Sequence, residues 1–157
     1  MPFICIVSSL TGLFFVISGI QYWASHYLQN VLGVNGADTF KYFMGTCITS
    51  PVLGAILSGY ISNKFGGYNS RYPLIFAFIA GLIAVAAAAP MPCVNDPLLA
   101  IFLVWIVLFT GAFILPIMTG VMLTCIEQDY KSHANSLANM SYNLFGYLPA
   151  PTIYGLI

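Results

Sequence analysis

Charge is what this chain has least of. Four basic and four acidic side chains make up 5% of its 157 residues, and the formal net charge is zero. A soluble domain covers itself with charge at about a quarter of its positions, so a soluble globule is excluded. With 60% hydrophobic residues and a mean hydropathy of +0.92, the composition is that of an all-α integral membrane protein. The lack of any basic face excludes nucleic acid as a partner, because phosphate binding needs clustered Lys and Arg. Cysteine is scarce as well. Cys5, Cys47, Cys93 and Cys125 lie far apart, with none of the close spacings of metal or redox sites, and read as small apolar fillers. His26 and His133 stand alone near span ends, and no nucleophile is paired with a base, so neither an enzyme nor a metal or cofactor site is expected. The amino terminus lacks a basic n-region and its apolar run outlasts a signal-peptide core, so it is expected to stay in the mature protein.

What is present is a series of apolar spans. Residues 3–27, 39–61, 72–91, 97–125 and 134–157 are each long enough to cross a hydrocarbon layer of roughly 30 Å, which predicts five transmembrane helices in a single domain. In the first, Ser8, Thr11, Phe15, Ser18, Tyr22 and Ser25 recur at helical spacing and share one face. Two readings stay open: the hydroxyls pack on a neighbouring helix, with Trp23 and Tyr27 in the interfacial aromatic belt, or the face borders a water-filled cavity where Gln21 and Tyr22 touch a solute. The second span carries Pro51 and the small-residue pair Gly54 and Ser58, which predicts close helix approach and an interior position. The third, ending Ala-Val-Ala-Ala-Ala-Ala-Pro90, offers a solute no polar group and is expected to face lipid. The fourth is interrupted by Gly111, Pro116 and Gly120, marks of either an unwound binding segment or a packing bend. The fifth opens with Asn135, Asn139 and Asn143 at intervals of four, three amides on one face. Lipid exposure of amides is costly, so this face is expected against a helix or a cavity. Gly146, Pro149 and Pro151 break the span midway.

Two turns are strongly polar. Gly59-Tyr-Ile-Ser-Asn63-Lys64-Phe-Gly66-Gly67-Tyr-Asn-Ser-Arg71 holds half of the basic residues, and its glycines suit a hinge or gate. Glu127-Gln-Asp-Tyr-Lys131-Ser-His133 follows two spans later and so returns to the same side. Lys64, Arg71 and Lys131 fall on that side against Lys41 on the other. The excess predicts that loops 62–71 and 126–133, and the amino terminus, lie in the cytoplasm.

The run Gly59-x-x-x-Asn63-Lys64-x-Gly66-Gly67 resembles the signature loop of the major facilitator superfamily, which stands between the second and third helices of a six-helix half, as here. The closing Ala134–Pro149 segment is similar to that family's eleventh helix, and Gly19-Ile-Gln-Tyr-Trp23 to the seventh helix of its spinster-like branch. The resemblance implies helices seven to eleven, a partial carboxyl-terminal half whose amino-terminal half is missing. It also implies that the first, second, fourth and fifth spans line a central path. Gly59, Asn63, Lys64, Gly66 and Arg71 are then gating elements. Asn63 stands where the motif has Asp, and Gly67 where a basic residue is common, which puts an ionic latch in doubt. The implied activity is alternating-access transport of a small solute, with Gln21, Tyr22, Asn139 and Asn143 as contacts and either the rest of a longer chain or other membrane subunits as partners in the bilayer. The competing expectation is a structural membrane subunit that moves nothing.

Overall fold

The computed structural model describes residues 2–156. Four long helices dominate: α1 (Pro2–Asn30), α2 (Gly36–Lys64), α3 (Tyr72–Ala88) and α4 (Pro97–Thr124). Each is long and apolar enough to cross a membrane. A fifth segment follows in three pieces: α5 (Lys131–Tyr142), a π-helical stretch Asn143–Tyr147, and the short α6 (Ala150–Tyr154).

Local chemistry sets the helix ends. Gly33, at φ +65°, turns the chain after α1, and Asp38 in the first turn of α2 complements the positive end of that helix. The α4 start is capped by Asp96, whose Oδ1 accepts from the amide of Leu98 at 3.0 Å, and Pro97 occupies the first turn, where its missing N–H costs nothing. Pro116 lies inside α4 without dividing it. Of the two readings of the fourth span, the structure therefore shows a continuous helix and not an unwound one.

Packing is organised around α4, which touches α1, α2, α3 and α5. The interior position expected for α2 falls to α4 instead: 39% of its apolar window is buried against 22% for α2. The reason is geometric. α2 presents a single narrow stripe, Thr39, Thr46, Ser50, Gly54, Ser58 and Ser62, and leaves its other faces exposed. Along that stripe Ser50 Oγ donates to the carbonyl of Trp105 at 2.8 Å, and Gly54 meets the backbone of Phe109 so closely that a Cβ would collide with its carbonyl oxygen. Residues 50 and 54 meet 105 and 109 in the same order, so α2 and α4 run parallel.

α1 and the fifth segment form a second parallel pair. Phe14 stacks on Tyr142 with ring centroids 4.5 Å apart, Ser18 Oγ donates to the carbonyl of Tyr147 at 3.0 Å, and Trp23 Nε1 donates to the carbonyl of Pro151 at 3.3 Å. Gly146 is the close-approach residue here, since a Cβ on it would lie 2.5 Å from the carbonyl oxygen of Thr11. α3 packs mainly on α4. It buries Ala77, Ala80 and Ala87 and exposes Ile75, Phe78, Leu82 and Val85, the pattern of a helix with a smooth side for its neighbour and a bulky side for lipid. The principal core cluster joins Ile6 and Leu10 of α1, Ala77 and Ala80 of α3, Phe113, Ile117, Val121 and Met122 of α4, and Ala138 and Tyr142 of α5.

Candidate functional site

The α2–α3 loop follows from its glycines. The amide of Gly67 donates to the carbonyl of Ser62 at 2.9 Å while Gly66 is at φ +93° and Gly67 at φ +72°. This is the six-to-one closure of a Schellman stop, and its left-handed residues favour glycine. Gly67 thus has a backbone role at the position where the family motif often carries a base. Ser70 then bonds back, its amide to the carbonyl of Gly67 at 3.2 Å, and its hydroxyl accepts from the amide of Tyr72 at 3.3 Å. The candidate gating side chains Asn63, Lys64 and Arg71 are all exposed. Lys64 Nζ lies 5.9 Å from the centroid of the Tyr60 ring, and Gly59 has open space beside it.

On the fifth segment, Asn139 and Asn143 are exposed and share one face. Their amides are turned onto their own helix. Asn139 Nδ2 donates to the carbonyl of Asn135 at 2.9 Å, Asn143 Nδ2 to the carbonyl of Asn139 at 2.8 Å, and the Tyr142 hydroxyl donates to Asn139 Oδ1. Self-bonding lowers the cost of the face in a membrane without removing it, since each amide keeps further donor and acceptor capacity. The face is not covered by a helix of this chain, so of the two expectations for it, helix contact is not met.

On α1, the shared polar face divides. Thr11 bonds its own helix, donating to the carbonyl of Val7 at 2.8 Å, Ser18 bonds Tyr147 as above, and Phe15 lies 5.3 Å from Tyr154. The middle of the stripe therefore packs on the fifth segment, as the packing reading expected. Gln21 and Tyr22 are exposed, and Tyr22 borders an open groove of about 360 Å³ with Trp23, Ser25, His26 and Gln29. Asn139 and Asn143 flank Tyr142, which marks the level of Phe14. Gln21 stands seven residues further along α1, about 10 Å at the helical rise, among residues that contact α6. The four candidate contacts thus occupy two levels of one helix pair.

Two cavities are apolar and lie elsewhere. One, of about 650 Å³, is lined by residues such as Gly12, Leu13, Ala77, Gly81, Gly111 and Ile114 between α1, α3 and α4. The other, of about 290 Å³, is lined by Gly19, Trp23, Tyr27, Met91 and Tyr154 among others. Neither is bordered by Gln21, Asn139 or Asn143.

Three side chains acquire importance only in three dimensions. Trp105 Nε1 donates to Thr49 Oγ1 at 3.0 Å, Thr49 in turn donates to the carbonyl of Gly45 at 2.7 Å, and the Trp105 ring stacks on Phe109 at 5.1 Å. The ring of Tyr68 lies over Gly120 of α4, and Tyr142 joins two candidate groups, Phe14 and Asn139. A tryptophan far from either end of a 28-residue span, outside the interfacial belts, was the one available signal for Trp105. Nothing in the linear order pairs Tyr68 with residue 120.

No curated protein and no solved structure matches the chain. A family model described as Major Facilitator Superfamily matches residues 1–151, which embraces the four long helices, the glycine loop, α5 and the π-helical stretch. This is a family of membrane transporters of small solutes, and its match agrees with an all-α chain of four membrane-length helices. The chain belongs to the Major Facilitator Superfamily.

Proposed function

We propose that this chain moves a small solute across a membrane by alternating access, as helices seven to eleven of a carboxyl-terminal half, possessing features of the spinster-like branch. The observation that carries the reading is the family match over residues 1–151. The exposed amide face of α5 supports it, because amides without a covering helix are tolerated in a membrane where they border water or a polar ligand. Asn139, Asn143, Gln21 and Tyr22 are the proposed solute contacts, and Gly59, Asn63, Lys64, Gly66 and Arg71 the gating elements. A second set of helices has to complete the path opposite α5, supplied by the amino-terminal half of a longer chain or by other membrane subunits. The proposed orientation places the amino terminus and loops 62–71 and 126–133 in the cytoplasm, from the Lys64, Arg71 and Lys131 excess.

The ionisable residues Asp38, Lys41, Lys64, Arg71, Asp96, Glu127, Asp129 and Lys131 lie in loops or at helix ends. That distribution favours facilitated movement of a neutral or amphipathic solute, with any ion coupling supplied by the completing helices. The test is uptake by proteoliposomes holding the full-length protein, using a panel of neutral and amphipathic solutes. Saturable uptake, reduced by Asn139→Leu with Asn143→Leu at equal protein loading, supports the reading. Absence of uptake across the panel, with the chain purifying in fixed proportion to other membrane proteins, favours a structural subunit.

A further inference from the structure

The segment between α2 and α3 is held at two aromatic contacts. Phe65 meets Phe76 of α3 edge-on, with centroids 5.2 Å apart. Tyr68 turns the other way and packs against the core cluster that includes Ile117 and Val121. Its ring covers Gly120 of α4 so closely that a Cβ there would lie 2.5 Å from a ring carbon. The left-handed Gly66 and Gly67 immediately precede Tyr68 and turn its ring inward. The charged members of the loop take no part: Lys64 and Arg71 are exposed, and the one ion pair among the described residues is Lys41 with Asp38 at 3.5 Å, at the far end of α2.

We propose that Tyr68, seated on the bare backbone of Gly120, is the residue that latches the α2–α3 loop to α4, so that this gate closes on an apolar contact in place of an ionic one. The proposal rests on the reading of residues 59–71 as a gating element. Tyr68 acts as a positioning residue: the glycine at 120 supplies the recess, the glycines at 66 and 67 supply the turn, and the ring fills the recess. Salt screens exposed ion pairs within about 10 Å at 0.1 M ionic strength but does not screen ring-to-backbone packing, so the latch is insensitive to salt.

The test is amide hydrogen exchange over residues 65–71 of the full-length protein in lipid nanodiscs, without solute, with uptake measured in parallel. The Gly67 and Ser70 amides, bonded to Ser62 and Gly67, report the loop. The expected result is the same slow exchange between about 0.05 and about 1 M NaCl, about tenfold faster exchange in Tyr68→Ala and in Gly120→Ala, and wild-type exchange in Tyr68→Phe and in Lys64→Gln with Arg71→Gln. Because both substitutions break one contact, Gly120→Ala adds nothing in a Tyr68→Ala background. Exchange that accelerates with salt, or that is unmoved by Tyr68→Ala, overturns the latch, and Tyr68→Ala is a partly exposed loop change that decides this even if Gly120→Ala fails to fold. A loop freed by Tyr68→Ala with uptake unchanged overturns the gating reading of residues 59–71 and leaves the contact itself standing.

Discussion

Gly54 lies against the backbone of Phe109, with no room for a methyl group between its α-carbon and that carbonyl oxygen. One turn away Ser50 donates to the carbonyl of Trp105. The same device recurs between Gly146 and the carbonyl of Thr11, with Ser18 donating to Tyr147 nearby. Each of the two parallel helix pairs is therefore pinned by one glycine at closest approach and one serine bonding across it. In a bilayer, where lipid tails compete equally well for apolar side chains, such close packing is what holds helices together.

A side chain at residue 54 is expected to part α2 from α4. Gly54→Leu should destabilise the protein by about 1–3 kcal/mol, the usual cost of overpacking, visible as a lower thermal midpoint in detergent. Gly45→Ala, with open space beside it on the same helix, should leave the midpoint at or slightly above that of the wild type. Equal midpoints for Gly54→Leu and wild type would remove this crossing from the account.

Ser18 and Gln21, less than a turn apart on α1, are expected to separate packing from transport. Ser18→Ala loses the bond to Tyr147 and leaves that carbonyl without this donor, at a cost of roughly 0.6 to 1 kcal/mol for a membrane hydrogen bond, with uptake per folded molecule unchanged. Gln21→Leu should keep the thermal midpoint and reduce uptake. The opposite assignment of effects would exclude Gln21 from the solute path.

Asn139 and Asn143 bond only within their own segment, so replacing both with Leu should fold normally and in lipid even gain stability. Uptake, in contrast, should fall at least about tenfold if each amide contributes about 1 kcal/mol of solute binding. Unchanged uptake at normal surface expression would show that the face serves some other contact.

The π-helical stretch holds one residue more than an α-helix needs between α5 and α6. Deleting Leu144 should convert it to α-helix and rotate α6 by about 100° relative to α5. The bonds Ser18–Tyr147 and Trp23–Pro151 would then be lost together. In a Trp105→Phe background, Trp23 fluorescence should shift to the red as its indole loses that partner. An unshifted spectrum would mean that the register around Pro151 does not depend on the extra residue.

Much of the architecture was legible in the order of residues, because the membrane imposes a simple rule. A backbone crossing hydrocarbon must satisfy its own hydrogen bonds, so a long apolar run becomes a helix and polar clusters such as 59–71 and 126–133 become turns. The Gly66-Gly67 pair announced a reversal, and the Ala-rich third span announced a peripheral helix. The family resemblance was carried by the same glycine loop that the structure closes through Gly67 and Ser62.

Tertiary structure alone decided which face meets which. Ser18 and Tyr22 share a periodic stripe, yet one bonds Tyr147 and the other is exposed. Pro51 suggested that α2 was the interior helix, but it was α4, with apolar residues on every side, that could touch four neighbours at once. Gly111, Pro116 and Gly120 marked α4 as interrupted, yet the helix continues, because Gly120 makes room for Tyr68, 52 positions earlier in the chain. Periodicity determines which residues share a face. Only the meeting of two surfaces, each defined by side chains distant in sequence, determines what that face touches.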